Sequence, residues 1–452
     1  MYLKDKRILI LGLGITGISA IKAVHQQGGH IVIHDSKAEE KLKDILEEVK
    51  NIPMTKYLAK DDIDLKGIDL IVKSPGIPPY ATIVKRALEN NIEVITDIEL
   101  AYRLSKTKNF IAITGTNGKT TCTTLIGEIF KKAGINTHVV GNIGTGILEK
   151  IVEEKEKDLF VIECSSFQLE HISTFKPRVS LITNITPDHL DWHGNFDSYK
   201  KAKLNIMKNQ DSKDYLILNY DDPILRKLNS TIKPKVIWFS IKEELSHGIY
   251  IKDNYIVISY GIESRKLMPY SQLKILGKHN LENALACIGV SIAIGIDYSI
   301  IRQVLASFRG VEHRIEYVAV KNGITFYNDS KGTNCDASIK AIEAVDSPII
   351  LIAGGYDKGS NFDEFIKSFK GKVKILILLG QTKERLKEAA INNGFVNIYE
   401  VNSMKKAVEL SYELGEIGDK VLLSPACASW DMYSSYEVRG NDFKDAVRKL
   451  ME

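Results

Sequence analysis

The chain alternates between short uninterrupted apolar runs and longer stretches in which apolar residues recur every three or four positions. The first pattern reads as buried strand and the second as helix. The sharpest transition is Phe110-Ile-Ala-Ile-Thr114-Gly115-Thr116-Asn117-Gly118-Lys119-Thr120-Thr121. Phe110 to Ile113 is a strand-type run, and Leu125, Ile126, Ile129 and Phe130 fall at helical spacing within Lys119 to Ala133. Upstream, Arg7 to Leu11 predicts a strand, a helix follows Gly17, and His30 to Asp35 is the next strand. Asp69 to Val72 then runs into the rigid turn Lys73-Ser-Pro-Gly76-Ile-Pro78. Beyond the glycine loop, strands are expected over 137–140, 159–163, 179–184 and 215–218, with helices between them. From Trp238 to Ile275 the pattern shortens to β segments, expected as an appended hairpin region, and Asn280 opens a long helix to Ile294. The last third repeats the alternation, with strands over 324–328, 349–353, 373–379 and 421–424. Such alternation predicts an α/β chain of mostly parallel sheets with helices on both faces. The polar stretch Ser105 to Asn109 reads as a linker, and a second boundary falls near Ser307 to Gly310.

Composition narrows the function. A chain of 452 residues accommodates two to four domains. Its net charge of +4 is nearly balanced, with no dense basic patch interleaved with aromatics, so no nucleic-acid partner is indicated. The five cysteines (Cys122, Cys164, Cys287, Cys335, Cys427) lie far apart without a C-x-x-C, which argues against both a zinc site and a disulfide framework. The N-terminus enters a strand almost at once, with no apolar leader. The longest apolar stretch, Ala284 to Ile296, is too short to span a bilayer. A soluble, cytoplasmic protein without membrane insertion is expected.

The glycine loop carries the chemistry. Glycines let backbone amides approach phosphate oxygens, and the helix N-terminus adds unpaired N–H groups and a favourable dipole. Lys119 is placed to reach the outer phosphates and the Thr120 hydroxyl suits Mg²⁺. The pattern is the shorter G-x-x-G-K-T, because Ile113 stands where the longer phosphate loop has glycine. The plain alternative is a glycine turn that happens to open a helix. Strand, loop, lysine, hydroxyl and helix nevertheless follow in the order a nucleoside triphosphate site requires.

A second signal is Gly12-Leu-Gly14-Ile15-Thr16-Gly17, a full G-x-G-x-x-G between strand and helix, with Asp35 ending the next strand. Alone it says nicotinamide oxidoreductase. The segment before the phosphate loop is short for two mononucleotide-binding halves, and the triphosphate site needs its own role. A βα unit that takes the diphosphate of another nucleotide accounts for both. The Ser74 turn is either plain loop chemistry or a second wall of that site. A nucleotide-gated switch using only the phosphate loop is the non-enzymatic rival. Polar strand ends recur at Gly141-Asn142, Glu163-Cys-Ser-Ser and Asn184-Ile-Thr-Pro-Asp188-His189-Leu-Asp191. In the last third they recur at Asn328-Asp329-Ser-Lys331-Gly-Thr333-Asn, Gly354-Gly-Tyr-Asp-Lys358 and Ser424-Pro-Ala-Cys-Ala-Ser429-Trp-Asp. These are placed for metal and substrate contacts and for an anion site, respectively.

The ordered set Thr114 to Thr121, Asn184 to Asp191, His279-Asn280-Leu-Glu-Asn283, Glu312-His-Arg314 and Asn328 to Lys331 resembles the signatures of the muramyl ligases. These are the ATP-dependent amino-acid-adding enzymes of bacterial peptidoglycan precursor synthesis. The resemblance covers the whole chain and implies three domains. They are a Rossmann-like nucleotide-sugar domain over 1–98, a central P-loop ATPase domain over 99–309 and a Rossmann-like C-terminal domain over 310–452. The Gly12, Ser74 and Ser424 motifs resemble the branch that adds D-glutamate to UDP-N-acetylmuramoyl-L-alanine. Another member adding a different amino acid is the alternative. The resemblance implies ATP contacts from Gly115, Thr116, Asn117, Gly118, Lys119, Thr120, Thr121, Asn280, Asn283, Arg314 and Asp329. It implies two Mg²⁺ ions, one at Thr120 and Glu163 and one at His189 and Lys203, the latter carrying a CO₂-derived carbamate. Lys119, His189 and Lys203 form the implied catalytic set. The UDP-substrate falls to Ile15, Thr16, Asp35, Ser36, Lys37, Gly76 and Asn142. D-Glutamate falls to His189, Lys331, Thr333, Lys358, Ser429 and Tyr436. Lys37 stands where some relatives have Arg, and Tyr436 where the family usually has Phe. A monomer acting on small molecules is expected.

Overall fold

The computed structural model describes residues 3–60, 63–142, 146–230, 232–261, 263–275, 277–357 and 359–450. Lys358 therefore lies outside the described residues. The chain forms two compact units, Met1–Gln272 with Glu282–Leu305, and Leu273–Leu281 with Ala306–Glu452.

The first unit holds two sheets. The N-terminal sheet comprises β1 (Arg7–Leu11), β2 (His30–Asp35), β3 (Met54–Leu58), β4 (Leu70–Lys73) and β5 (Glu93–Ile95). Its order is β3-β2-β1-β4-β5, all parallel. The order reverses between β1 and β4, so a crevice opens at their carboxyl ends. The second sheet contains β6 (Phe110–Thr114), β7 (Thr137–Gly141), β8 (Leu159–Glu163), β9 (Val179–Ile182) and β10 (Tyr215–Asn219). It continues through β11 (Lys235–Ser240), β12 (His247–Lys252), β13 (Tyr255–Tyr260) and β14 (Glu263–Pro269). The order is β14-β13-β12-β11-β10-β9-β6-β8-β7. The last segments form antiparallel hairpins, as expected, and these extend the edge of the same sheet. β12 pairs parallel with β11, Trp238 opposite Gly248, and β13 and β14 extend the same sheet antiparallel.

β6 lies between β9 and β8 and is buried along its whole length, as its unbroken apolar run requires. Phe110 stacks on Phe160 at 5.4 Å and meets Phe175 edge-on at 6.2 Å. All three rings are fully buried, each contributing about 1.5–3 kcal/mol of burial. This core holds rigid the strand end from which the glycine loop leaves.

Helix Asp97–Leu104 fastens the two sheets together. The Thr96 hydroxyl donates to Gln168 O at 2.7 Å, and the Gln168 amide nitrogen donates to the buried Asp97 carboxylate at 3.0 and 3.2 Å. The Glu99 carboxylate accepts from the backbone amides of Ser173, Thr174 and Phe175 at 2.8–2.9 Å and from Arg103 Nε at 2.7 Å. Burial opposes ionisation of Glu99, but these donors outweigh it and hold its pKa below the usual glutamate value.

The second unit carries the third sheet, of β15 (Glu316–Lys321), β16 (Ile324–Asn328), β17 (Ile349–Ala353), β18 (Val373–Leu378), β19 (Ile398–Glu400) and β20 (Lys420–Leu423). Its order is β15-β16-β20-β17-β18-β19, parallel except for β15 against β16. The carboxyl ends of β16, β20 and β17 are therefore neighbours. They carry Asn328, Ser424 and Gly354 into the loops that follow.

Candidate active site

The glycine loop turns on two conformations closed to other residues. Gly115 has φ +144 and Gly118 φ +87, and Gly118 caps helix Lys119–Lys132. A Cβ on Gly115 would overlap Thr183 Oγ1, and one on Gly118 would overlap Asn283 Oδ1. The wall of the loop comes from the end of β9. Thr183 Oγ1 donates to Asn117 O at 2.6 Å, Asn184 Oδ1 accepts from Asn117 N at 2.9 Å, and Thr116 N donates to Asn184 O at 3.0 Å. Thr116 Oγ1 also donates to Thr186 O at 3.0 Å and pairs with the Tyr199 hydroxyl at 2.9 Å. Asn184 was legible as part of a polar strand end. Its work of shaping the loop was not.

Two lysines meet at one carbonyl. Lys119 Nζ donates to Gly115 O and Thr116 O at 2.9 Å, and Lys203 Nζ donates to the same Gly115 O at 2.7 Å. Lys203 is 2% exposed. Burial, reinforced by the like charge of Lys119, drives its pKa well below the ordinary lysine value. Lys200, on the same helix, instead pairs with Asp197 at the surface. Glu163 ends β8 beside β6, buried, with Oε1 accepting from Asn142 Nδ2 at 3.2 Å. Its other oxygen, Oε2, is buried with no hydrogen-bond partner among the described residues. An orphaned carboxylate oxygen beside a phosphate loop and the buried Thr120 fits a hard cation such as Mg²⁺. No group of three or more His, Cys, Asp or Glu among the described residues encloses a metal by itself, so further oxygen ligands would come from nucleotide and water.

His189 caps the helical turn Leu190–His193. It has φ +51, its side chain is half exposed, and its ring packs on Phe167 at 4.9 Å.

The N-terminal glycine loop is closed by Asp35, whose two oxygens accept from Leu13 N at 2.8 Å and Lys37 N at 2.9 Å. Ile15 projects into solvent at the first turn of helix Ile15–Gln26, 80% exposed, and Ser36 and Lys37 are exposed beside it. The Ser74 turn faces this loop, since a Cβ on Gly12 would lie 2.9 Å from Ser74 Cβ. Ile15 and Thr16 in the first helical turn, Asp35 at the end of β2, and Ser36, Lys37 and Gly76 in the loops thus lie on the crevice side of the sheet.

In the second unit Asp329 is buried, with Oδ2 accepting from Ser424 Oγ at 2.7 Å and Oδ1 from Ile315 N at 3.2 Å. Burial raises its pKa to about 7, against the opposing hydrogen bond from Ser424 and the nearby Arg314 charge. Lys331 Nζ lies 5.7 Å from the Tyr436 ring, and Thr333 N donates to Lys331 O at 2.8 Å. The fork that joins these loops is Arg439, buried in helix Tyr436–Arg448. It donates to Ser330 Oγ and O at 3.0 and 2.8 Å and to Cys427 O and Ala428 O at 3.1 and 3.2 Å. Ser429, buried, follows directly. Sequence reasoning missed Arg439, whose only local signal is Gly440, where a Cβ would collide with the His313 ring. Asn283 approaches the phosphate loop within the first unit, whereas Asn280 falls in the second unit at the opening turn of the same helix.

Comparison with known proteins adds a separate line. Residues 6–96 match the Mur ligase MurD-like N-terminal domain, 113–291 the Mur ligase middle domain and 313–427 the Mur ligase glutamate ligase domain. The chain is 48% identical to the UDP-N-acetylmuramoylalanine–D-glutamate ligase of Caldanaerobacter subterraneus, with all of both chains covered. It is 47% identical to the enzyme of that name from Clostridioides difficile, again over all of both chains. Among solved structures, the UDP-N-acetylmuramate-alanine ligase of Thermotoga maritima aligns over 99% of this chain and 100% of its own. Its TM-score is 0.59 at 18% identity, a likeness of fold.

Proposed function

The chain belongs to the Mur ligase family, and from that premise we propose that it joins D-glutamate to UDP-N-acetylmuramoyl-L-alanine at the expense of ATP, in peptidoglycan precursor synthesis. The observation that carries this reading is full-length identity near one half to ligases bearing that name. The glycine fingerprint near the N-terminus then serves a nucleotide sugar, and the oxidoreductase and switch readings fall away.

The chemistry proceeds in two transfers. An oxygen of the alanyl carboxylate attacks the γ-phosphorus and ADP leaves, giving an acyl phosphate. The amine of D-glutamate attacks the acyl carbon, a proton is lost, and phosphate departs with the C–O electron pair. Lys119, the loop amides and the helix N-terminus would stabilise the transferring phosphoryl group, by charge and by placement. Thr120 and Glu163 would hold one Mg²⁺, which supplies charge neutralisation between phosphate oxygens. The buried amine of Lys203 is held toward its neutral form, the form that reacts with CO₂. Carbamylation would convert it from a donor into an anionic oxygen ligand for a second cation, shared with His189. Lys331, Thr333, Lys358, Ser429 and Tyr436 would offer cations and hydroxyls to the dicarboxylate. The family resemblance would give nucleotide contacts to Asn283 in the first unit and to Asn280, Arg314 and Asp329 in the second.

No helix among the described residues is long and apolar enough to cross a membrane. We place the reaction in the cytoplasm and assign it to a monomer. The test is phosphate release that requires both UDP-N-acetylmuramoyl-L-alanine and an amino acid, followed by mass spectrometry of the products from a mixed amino-acid pool. A product carrying lysine or diaminopimelate would move the chain to another member of the family.

A further inference from the structure

The geometry points to Lys73 as the residue that positions the Ser74–Pro78 turn for the UDP-substrate and ties that turn to the segment bearing His189. The inference rests on the functional reading above and extends it to a side chain with no assigned role.

Lys73 ends β4 and is fully buried. Its ammonium does not reach solvent but curls under the turn that follows, donating to Ile77 O at 2.6 Å and to Ser74 O at 3.3 Å. Ile77 N closes the same turn on Ser74 O at 3.1 Å. Above it Ser74 N donates to Leu11 O at the end of β1 at 2.8 Å, and the Ser74 side chain closes on Gly12 of the glycine loop. On its other side stands Trp192, whose ring centroid lies 5.5 Å from Lys73 Nζ and whose Nε1 reaches Gly76 O at 3.4 Å. Trp192 packs on Phe167 at 4.5 Å, and Phe167 packs on the His189 ring. One ammonium and one indole therefore fix the turn from two sides, and the indole belongs to the helical turn that His189 opens.

Burying an ammonium with two carbonyls and an aromatic face for company is a poor way to gain stability. Glu170 and Asp97 lie near enough to favour the charge, but among the described residues no carboxylate bonds to it. Burial accordingly pulls the pKa of Lys73 down to about 8. A side chain kept only for packing would be apolar here. One that must hold two carbonyls of a substrate-facing turn needs donors.

The test compares the intact chain with Lys73→Met and Trp192→Phe. It measures calorimetric affinity for UDP-N-acetylmuramoyl-L-alanine, KM for ATP, kcat and Tm. Lys73→Met keeps the volume and removes the donors. It should weaken substrate affinity about tenfold and leave KM for ATP within about twofold, with Tm shifting by only a few degrees, because relief of the buried charge offsets the carbonyl left unpaired. Trp192→Phe keeps an aromatic face and removes one donor, so its loss of affinity should be smaller and equally confined to the UDP-substrate. It carries the test if Lys73→Met does not fold. Unchanged substrate affinity in the folded variants, or an equal rise in KM for ATP, overturns the assignment. A fall in Tm without a change in affinity assigns Lys73 to packing. An intact chain that does not bind the UDP-substrate overturns the functional reading instead.

Discussion

Replacing Gly115 with alanine tests whether the phosphate loop is built as described. The residue sits at φ +144, a region that side chains other than glycine occupy at a cost of about 1–3 kcal/mol. The added Cβ would overlap Thr183 Oγ1, whose hydrogen bond to Asn117 O is 2.6 Å long and buried in part. Displacing Thr183 leaves that carbonyl unsatisfied, for about 1–3 kcal/mol more. The sum is about 2–6 kcal/mol, which for a unit of this size lowers Tm by roughly 5–20 °C. The control is Gly134→Ala. Gly134 also has positive φ, at +78, but nothing lies within 4 Å of its added Cβ, so it bears only the backbone cost of about 1–2 kcal/mol. Thermal unfolding is followed with and without Mg-ATP. At one hundred times Kd the nucleotide should add about 2.7 kcal/mol to the intact chain and to the control. Gly115→Ala should lose that increment as well as the stability. A Gly115→Ala chain that melts with the control and still shifts with ATP would refute the account of Thr183 as the wall of the loop.

Three further outcomes are expected. Lys119→Ala should abolish ATP-driven ligation while calorimetric affinity for UDP-N-acetylmuramoyl-L-alanine stays within about twofold, because Lys119 holds Gly115 O and Thr116 O of the phosphate loop. A parallel loss of both would merge the two sites. Lys203→Ala should lose most activity and regain part of it with added short carboxylic acids, whereas Lys200→Ala stays near the parent rate. Full activity without rescue would remove the carbamate. The raised pKa of Asp329, about 7, means that between about pH 4 and 7 the folded state holds a proton that the unfolded state has released. This contribution is fully present below about pH 4 and is lost as pH rises through 7, on the order of a few kcal/mol. Urea unfolding at pH 5 and pH 8 should show the loss, and Asp329→Asn should flatten it. An equal pH dependence in the variant would count against it.

The phosphate loop was legible in the sequence because three local rules coincide there: a fully buried strand, glycines at positive φ, and a helix start. The parallel core strands were legible for the same reason, being apolar on both faces. β3 was not, since Met54–Leu58 is half exposed with polar residues inside it, and β15 was missed although Tyr317–Val320 is an apolar run. β5 was missed because three residues carry no periodicity. The hairpins of β12 to β14 were legible, but their junction with the main sheet was not, since no local signal says which strand Gly248 will lie beside. Arg439 and Lys73 share a deeper obscurity. A basic side chain reads as solvated until the tertiary structure supplies the carbonyls that justify burying it.

The seam at helix Asp97–Leu104 also bears on how such a chain can be inherited. Glu99 takes three of its hydrogen bonds from amides about seventy-five residues further on, and Asp97 is met by Gln168. A crossover between related genes falling between these positions would pair a carboxylate with a loop not shaped for it. The result would be a buried, unmatched charge at the joint. Exchanges that carry the first hundred residues together with the loop of Gln168 to Phe175 preserve the match. The unit of successful recombination is therefore larger than the N-terminal sheet, and its edge lies where no break in the chain suggests one.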